Sequence, residues 1–265
     1  MEYVLTTDRL SKRYGHFKAL DDFSMHVPKG AIYGFVGKNG AGKTTLIRLV
    51  CGLQHPSGGS CTLYGIKHTD KNIIRSRRRM GAIVETPSIY LDMSARDNLK
   101  EQYRVLGLPS FDGIPELLAM VGLENTGRKK AKNFSLGMRQ RLGIAIALAG
   151  SPDFLILDEP VNGLDPQGII EIRELILKLN REHQITVLIS SHILDELSRL
   201  ATHYGFIDHG HMLREITAKE LESACRKCMH ITVSDTQVLS ISERDESLES
   251  YYVNLVNGKD GGSHA

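Results

Sequence analysis

Short runs of continuous apolar residues mark this chain at intervals: 32–36 (Ile-Tyr-Gly-Phe-Val), 81–84, 154–157, 185–189 and 204–207. Such runs are the pattern of strands covered on both faces of a sheet, where no alternate position faces water. Residues 3–14 and 20–27 alternate apolar and polar instead and read as strands with one wet face, and the turn Pro28-Lys29-Gly30 joins them to the run at 32–36. Between the continuous runs the period changes to that of a helix. Ser94 stands where a cap belongs, with Asp97 three residues on, and Leu99, Tyr103 and Leu106 then recur on one face. Residues 115–121, 142–149, 166–180 and 193–200 have helical spacing as well, and Gly150-Ser151-Pro152 ends the second of these. Strands alternating with helices predict a largely parallel sheet, with residues of about 86–150 forming a helical block inserted between strands. Beyond residue 220 the pattern predicts a helix at 219–228, a short strand at 231–233 and an amphipathic helix at 247–256, whose face is Leu248, Tyr251, Tyr252 and Leu255. Residues 258–265 have the composition of a flexible end.

The run at 32–36 leads into Gly37-Lys38-Asn39-Gly40-Ala41-Gly42-Lys43-Thr44-Thr45, followed by the helical pattern Leu46-Ile47-Arg48-Leu49-Val50. That is G-x-x-x-x-G-K-[ST] between strand and helix, the context that distinguishes a phosphate loop from a glycine-rich surface turn. Glycines let the backbone curl so that successive N–H groups converge on one anion, and the helix N-terminus adds its partial positive charge. Lys43 then reaches the β- and γ-phosphates, and the Thr44 hydroxyl ligates a magnesium ion. These residues predict a nucleoside triphosphate site.

Such a site needs a metal anchor, a positioned water and charge stabilisation. Asp158 ends the apolar run 154–157, at the sheet edge where α/β proteins bind ligands and beside the phosphate loop of a neighbouring strand. Glu159 follows it and points elsewhere, so one carboxylate is free to hold metal and the other to polarise water. His192 ends the run 185–189 and its polar extension Ser190-Ser191 at the same edge. A lone histidine is more often a packed or surface residue; its strand-end place reads as a γ-phosphate contact that steadies the water. Tyr14, on the loop leaving the first strand, offers a ring for adenine to stack on, a reading that depends on the other motifs.

Composition narrows the class without naming a partner. The chain has 265 residues, 41% hydrophobic and 24% charged, with a formal net charge of +2, which gives no general argument for nucleic acid or an anionic membrane. The longest apolar stretch, 142–149, is far short of the ~20 residues that span a bilayer. Residues 1–4 lack a basic segment followed by an apolar one, so no secretory signal is expected. Four cysteines make no disulfide framework in a chain this long, and a reducing cytosol is the simplest compartment. Cys225 and Cys228, with His230 nearby, are a weak metal signal without a second pair. The basic run Arg75-Ser76-Arg77-Arg78-Arg79 reads as a solvated face, with contact to a partner or lipid headgroups as the alternative.

Taken in order, these motifs resemble the nucleotide-binding subunit of an ATP-binding cassette (ABC) transporter, with the match running from Tyr14 to His192. Ser135-Leu136-Gly137-Met138 resembles the family's signature segment, although Phe134, Leu136 and Met138 replace its usual Leu, Gly and Gln. Ser135 and Gly137 keep what a phosphate needs there, a hydroxyl and an unhindered N–H at a helix start. Asn162-Gly163-Leu164-Asp165 matches the D-loop and Ser190-Ser191-His192 the switch histidine. The resemblance implies an α/β P-loop NTPase (RecA-like) core with an antiparallel β subdomain and an inserted α-helical subdomain over residues 1–220. Residues 221–265 are then a small C-terminal extension. It also implies ATP and Mg2+ as cofactors and a second ABC ATPase subunit, identical or not, packed head to tail so that each ATP lies between one phosphate loop and the partner's signature segment. Separate transmembrane permease subunits are implied, with this chain peripheral on the cytoplasmic face of the cell membrane.

Glu85 stands where the family usually has a glutamine that touches magnesium and the attacking water. A carboxylate keeps the acceptor oxygens and loses the amide donor. Ile83-Val84-Glu85-Thr86-Pro87, with Ser-Leu-Gly-Met-Arg-Gln-Arg-Leu at 135–142, resembles the branch that exports bacitracin and lantibiotics. The leading expectation is therefore an ATPase powering export of, or immunity to, a peptide antibiotic. Another cargo remains an alternative. A non-transport ABC ATPase acting on DNA or ribosomes is disfavoured by the single cassette and the lack of sustained heptads, and no nucleic-acid partner is expected.

Overall fold

A computed structural model of the chain describes residues 2–225, 229–234, 237–243 and 248–258. In chain order the elements are β1 (Tyr3–Tyr14), β2 (Phe17–Pro28), β3 (Ile32–Val36), α1 (Lys43–Cys51), β4 (Gly58–Leu63), β5 (Ile66–Lys67), α2 (Ile73–Arg77), β6 (Met80–Ile83), α3 (Ala95–Leu106), α4 (Ile114–Met120), α5 (Leu136–Leu148), β7 (Phe154–Asp158), α6 (Pro166–His183), β8 (Thr186–Ser191), α7 (Leu194–Ser198), β9 (His203–Asp208), β10 (His211–Thr217), α8 (Ala218–Cys225), β11 (Met229–Ser234), β12 (Gln237–Glu243) and α9 (Leu248–Val256).

The continuous apolar runs become the strands of one sheet, ordered β10-β9-β3-β8-β7-β6. From β9 to β6 every pairing is parallel, and β10 returns antiparallel on β9 as a hairpin. The alternating segments β1 and β2 join β4 and β5 in a second, antiparallel sheet. Why the first set has no polar face is visible in β7. Phe154 and Ile156 enter a core shared with α1 and the antiparallel sheet, whereas Leu155 and Leu157 enter a core shared with α5, α6 and α7. Successive side chains of a strand point to opposite faces, so a strand between two cores is apolar at every position.

Between β6 and β7 the chain builds α3, α4 and α5, whose buried residues Leu99, Tyr103, Leu117 and Leu142 continue the second of these cores. Ser94 caps α3 by accepting the Asp97 N–H and also donates to its carboxylate at 2.7 Å. Tyr14 is the last residue of β1, paired with Phe17 across a tight turn, rather than part of a loop. Leu221 of α8 and Tyr251 and Tyr252 of α9 belong to the same core as α5 and α6.

The basic run at 75–79 divides. Arg75, Arg78 and Arg79 are exposed, as a solvated face requires. Arg77 reaches back to the Val50 carbonyl at the end of α1, where a cation meets the negative end of the helix. Arg79 pairs with Asp153 and lies over the Tyr64 ring, 3.8 Å from its centre. Cys228 and residues 259–265 lie outside the described residues.

Candidate functional site

The phosphate loop occupies the turn between β3 and α1, and its curl is enforced by close packing. Gly42 is the N-cap of α1 with φ +114, and a Cβ there would sit 2.6 Å from the Ala19 carbonyl oxygen. A side chain at Gly37 would meet Ile207 at 2.6 Å. The loop is held from outside by the Ser191 carbonyl, which accepts the Gly37 N–H, and by the Gly210 N–H, which donates to the Ala41 carbonyl. Lys38, Asn39 and Gly40 form its exposed rim, while Thr45 follows Thr44 in the first turn of α1.

Lys43 is 6% exposed, and its ammonium donates to the carbonyls of Gly37 at 2.6 Å and Lys38 at 3.2 Å. It also pairs with the Glu159 carboxylate at 3.2 Å. The other Glu159 oxygen lies 2.6 Å from His192 Nδ1. Lys43, Glu159 and His192, far apart in sequence, are thus one chain of contacts. Glu159 sits at φ +51, the left-handed region that turns its side chain away from the direction Asp158 takes.

Asp158 is almost fully buried at the end of β7. The Thr44 hydroxyl donates to one of its oxygens at 2.8 Å and the Ser190 hydroxyl to the other at 2.5 Å. Sequence reasoning put Asp158 on a strand neighbouring the loop. The sheet order places β8 between β3 and β7, so the contact spans one intervening strand. Ser190 on that strand bridges the gap, and its Oγ also accepts the Glu159 N–H at 3.0 Å. It was missed because a serine in an apolar strand carries no signal until the strand order is known. Thr44 and Asp158 present only oxygen donors, the set a hard divalent cation takes.

Glu85 does not join this pair. It has φ +64, and its carboxylate lies 2.6 Å from Arg48, one turn along α1 from Thr44. Tyr14 is half-exposed, with its hydroxyl on Gln54 and Lys12 over its ring at 5.2 Å. Ser135 caps α5 by accepting the Met138 N–H at 3.2 Å, and Asp165 caps α6 by accepting the Gly168 N–H at 3.1 Å. Leu136 is half-exposed, and Leu136 and Gly137 lie against Gly163 and Leu164. Among the hydrogen bonds of the described residues, none joins residues 135–138 to the phosphate loop.

A family model described as "ABC transporter" matches residues 20–162, more than half of the chain and all of the loop, Asp158 and Glu159. The chain belongs to the ABC transporter family. It is the ATP-binding, ATP-hydrolysing subunit of such a transporter. It is 43% identical to the bacitracin transport ATP-binding protein BcrA of Bacillus licheniformis, over 96% of this chain and 83% of that one. It is also 43% identical to the lantibiotic transport ATP-binding protein SrtF of Streptococcus pyogenes, over 80% of this chain and 90% of that one. The structure resembles cbiO1 from Clostridium perfringens, part of the ABC transporter complex cbiONQ, with TM-score 0.75 and 25% identity over 84% of this chain and 92% of that one. The fold is also that of MJ0796, a bacterial ABC transporter cassette whose structure is dimeric, with TM-score 0.71 and 24% identity over 81% of this chain and 98% of that one. Among the described residues of this ABC subunit, no helix is long and apolar enough to cross a membrane.

Proposed function

We propose that this ABC ATPase powers the export of a peptide antibiotic of the bacitracin or lantibiotic type, and so confers immunity or resistance. Support for the cargo comes from the similarity to BcrA and SrtF, which extends over most of each chain. Support for the mechanism comes from one observation, the contact chain Lys43–Glu159–His192 beside the pair Thr44–Asp158.

Thr44 and Asp158 would hold Mg2+, with Ser190 fixing the carboxylate, and the bound ion would offset phosphate charge. Lys43 binds the β- and γ-phosphates in place of the Gly37 and Lys38 carbonyls and Glu159. Transfer of its ammonium to phosphate frees one Glu159 oxygen to accept a proton from water, while His192 keeps the carboxylate aimed and contacts the γ-phosphate. Tyr14 stacks on adenine once its ring leaves Lys12. Glu85, anchored on Arg48, links the ATP site to the permease contact.

Residues 135–138, which among the described residues share no hydrogen bond with their own loop, serve a second subunit, homo- or heterodimeric and packed head to tail. The open N-terminus of α5 supplies the Ser135 hydroxyl and the Gly137 N–H to that subunit's ATP. Asp165, at the start of α6, stands at the same contact. The assembly sits against the cytoplasmic face of the cell membrane with the permease.

The test is expression of the chain with the permease that co-purifies with it in a bacitracin-sensitive host. The inhibitory concentration of bacitracin or a lantibiotic should rise, and Lys43→Ala should cancel the rise and abolish ATP binding. Retained micromolar ATP affinity in Lys43→Ala would remove the loop assignment. A host that stays sensitive to both antibiotic classes while the complex hydrolyses ATP would remove the cargo alone.

A further inference from the structure

A further brace of the phosphate loop comes from the C-terminal helix, outside the cassette motifs. The backbone N–H of Lys38 donates to the Tyr252 hydroxyl on α9 at 3.2 Å, across 214 positions of sequence. The same hydroxyl donates to the Ile207 carbonyl on β9 at 3.4 Å. That carbonyl oxygen lies 2.7 Å from where a Cβ of Gly37 would be, so loop, strand and phenol meet at one point.

The peptide unit joining Gly37 to Lys38 is gripped at both ends. Its carbonyl accepts the Lys43 ammonium at 2.6 Å, and its N–H is held by Tyr252. A peptide is planar, so fixing the direction of its N–H fixes the direction of its C=O. We propose that Tyr252 is a positioning residue for the ATP site, setting the Gly37–Lys38 peptide plane and with it the mouth of the phosphate loop and the resting place of the Lys43 ammonium.

The helix that carries Tyr252 is itself well seated. The Tyr252 ring stacks on Phe206 with centres 6.0 Å apart and planes at 26°, and Tyr251 meets the same Phe206 ring at 5.8 Å. Tyr252 is 7% exposed, and burial raises its pKa, so the phenol remains a neutral hydroxyl able to accept from Lys38 and donate to Ile207. Binding at the loop and docking of α9 are then linked: whatever tightens one tightens the other by the same free energy. The C-terminal segment becomes a working part of nucleotide binding.

This inference rests on the phosphate-loop reading, and the experiment separates the two. Full-length wild type, Tyr252→Phe and Tyr252→Leu are titrated with a fluorescent ATP analogue, and KM and kcat for ATP are measured in the permease complex. Removing the hydroxyl alone should weaken analogue binding and raise KM by about 2- to 10-fold, the factor for one hydrogen bond, while kcat changes less. Tyr252→Leu should lose at least as much. Exchange of the α9 amides with deuterated water should slow on ATP binding in wild type and less so in Tyr252→Phe. Unchanged affinity and KM in Tyr252→Phe would overturn the proposal, as would a defect confined to Tyr252→Leu, which would assign the effect to ring packing. A fall in kcat at constant KM would also overturn it. Failure of wild type to bind the analogue would instead overturn the loop assignment.

Discussion

The Lys43 ammonium is surrounded by the carbonyl oxygens of Gly37 and Lys38 and by the Glu159 carboxylate, in a place almost closed to water. A buried cation is tolerable only with such partners, because desolvation otherwise exceeds what it gains. In the proposed function, ATP offers oxygens that replace these, and the triphosphate does so with higher charge. Asp158 shows the same logic with the opposite sign. Its two oxygens are each given a hydroxyl proton, from Thr44 and from Ser190. Ser190→Ala should leave one buried carboxylate oxygen without its donor, at a cost of about 1–3 kcal/mol measured by urea unfolding. ATP hydrolysis should also require more Mg2+, since the anchor is less well aimed. An unchanged unfolding midpoint and Mg2+ dependence would show that the Ser190 hydroxyl is dispensable.

Among the elements, α5 does two jobs that its sequence states only in part. Its first turn presents Ser135 and Gly137, and its last turns cover β6. The approach there is tight: a Cβ on Gly81 of β6 would stand 2.3 Å from the Ala147 carbonyl oxygen of α5. No side-chain rotation relieves a clash with backbone, so Gly81→Ala must push the helix off the strand. The expected cost is about 1–3 kcal/mol or more in a denaturant titration, as for other overpacked cores. If the variant melts like wild type, α5 and β6 are less firmly joined than their packing indicates. The basic run at 75–79 shows how an element changes a reading. Charge counting along the chain sees a solvated face, whereas Arg77 closes the end of α1 and Arg79 ties β6 to Asp153 just before β7. Arg75, Arg78 and Arg79 are all exposed and fit the simple reading, and Arg77 departs from it.

At the scale of the whole molecule, a six-stranded sheet lies between two cores and gathers the site along the edge where β3, β7 and β8 end. The signature segment is on the inserted helical block and, among the described residues, makes no hydrogen bond to that edge. On the proposed reading a second subunit completes the site, and hydrolysis then depends on assembly. Glu159→Gln should therefore slow ATP hydrolysis by about 100-fold or more, the contribution of a general base, while ATP still binds. Size-exclusion chromatography with ATP should then show a dimer that disperses when ATP is removed. Wild-type turnover in this variant would take Glu159 out of the base role, and a monomer at saturating ATP would count against the shared site.

The order and type of most elements, though not β5, α2 or β12, together with the phosphate loop, Asp158, Glu159, His192 and the family resemblance, could be read along the chain. They depend on neighbours within a few residues: a period of two or of three to four, glycines spaced for a turn, an acid at the end of an apolar run. What the tertiary structure decided are relations between distant residues. It set β8 between the loop and Asp158, gave Glu159 both Lys43 and His192, and drew Glu85 to Arg48. It also brought Tyr252 onto Lys38. Such pairings depend on which strand lies beside which and on where a helix docks. Chain entropy and burial fix these jointly over the whole fold, and no local stretch of sequence contains them.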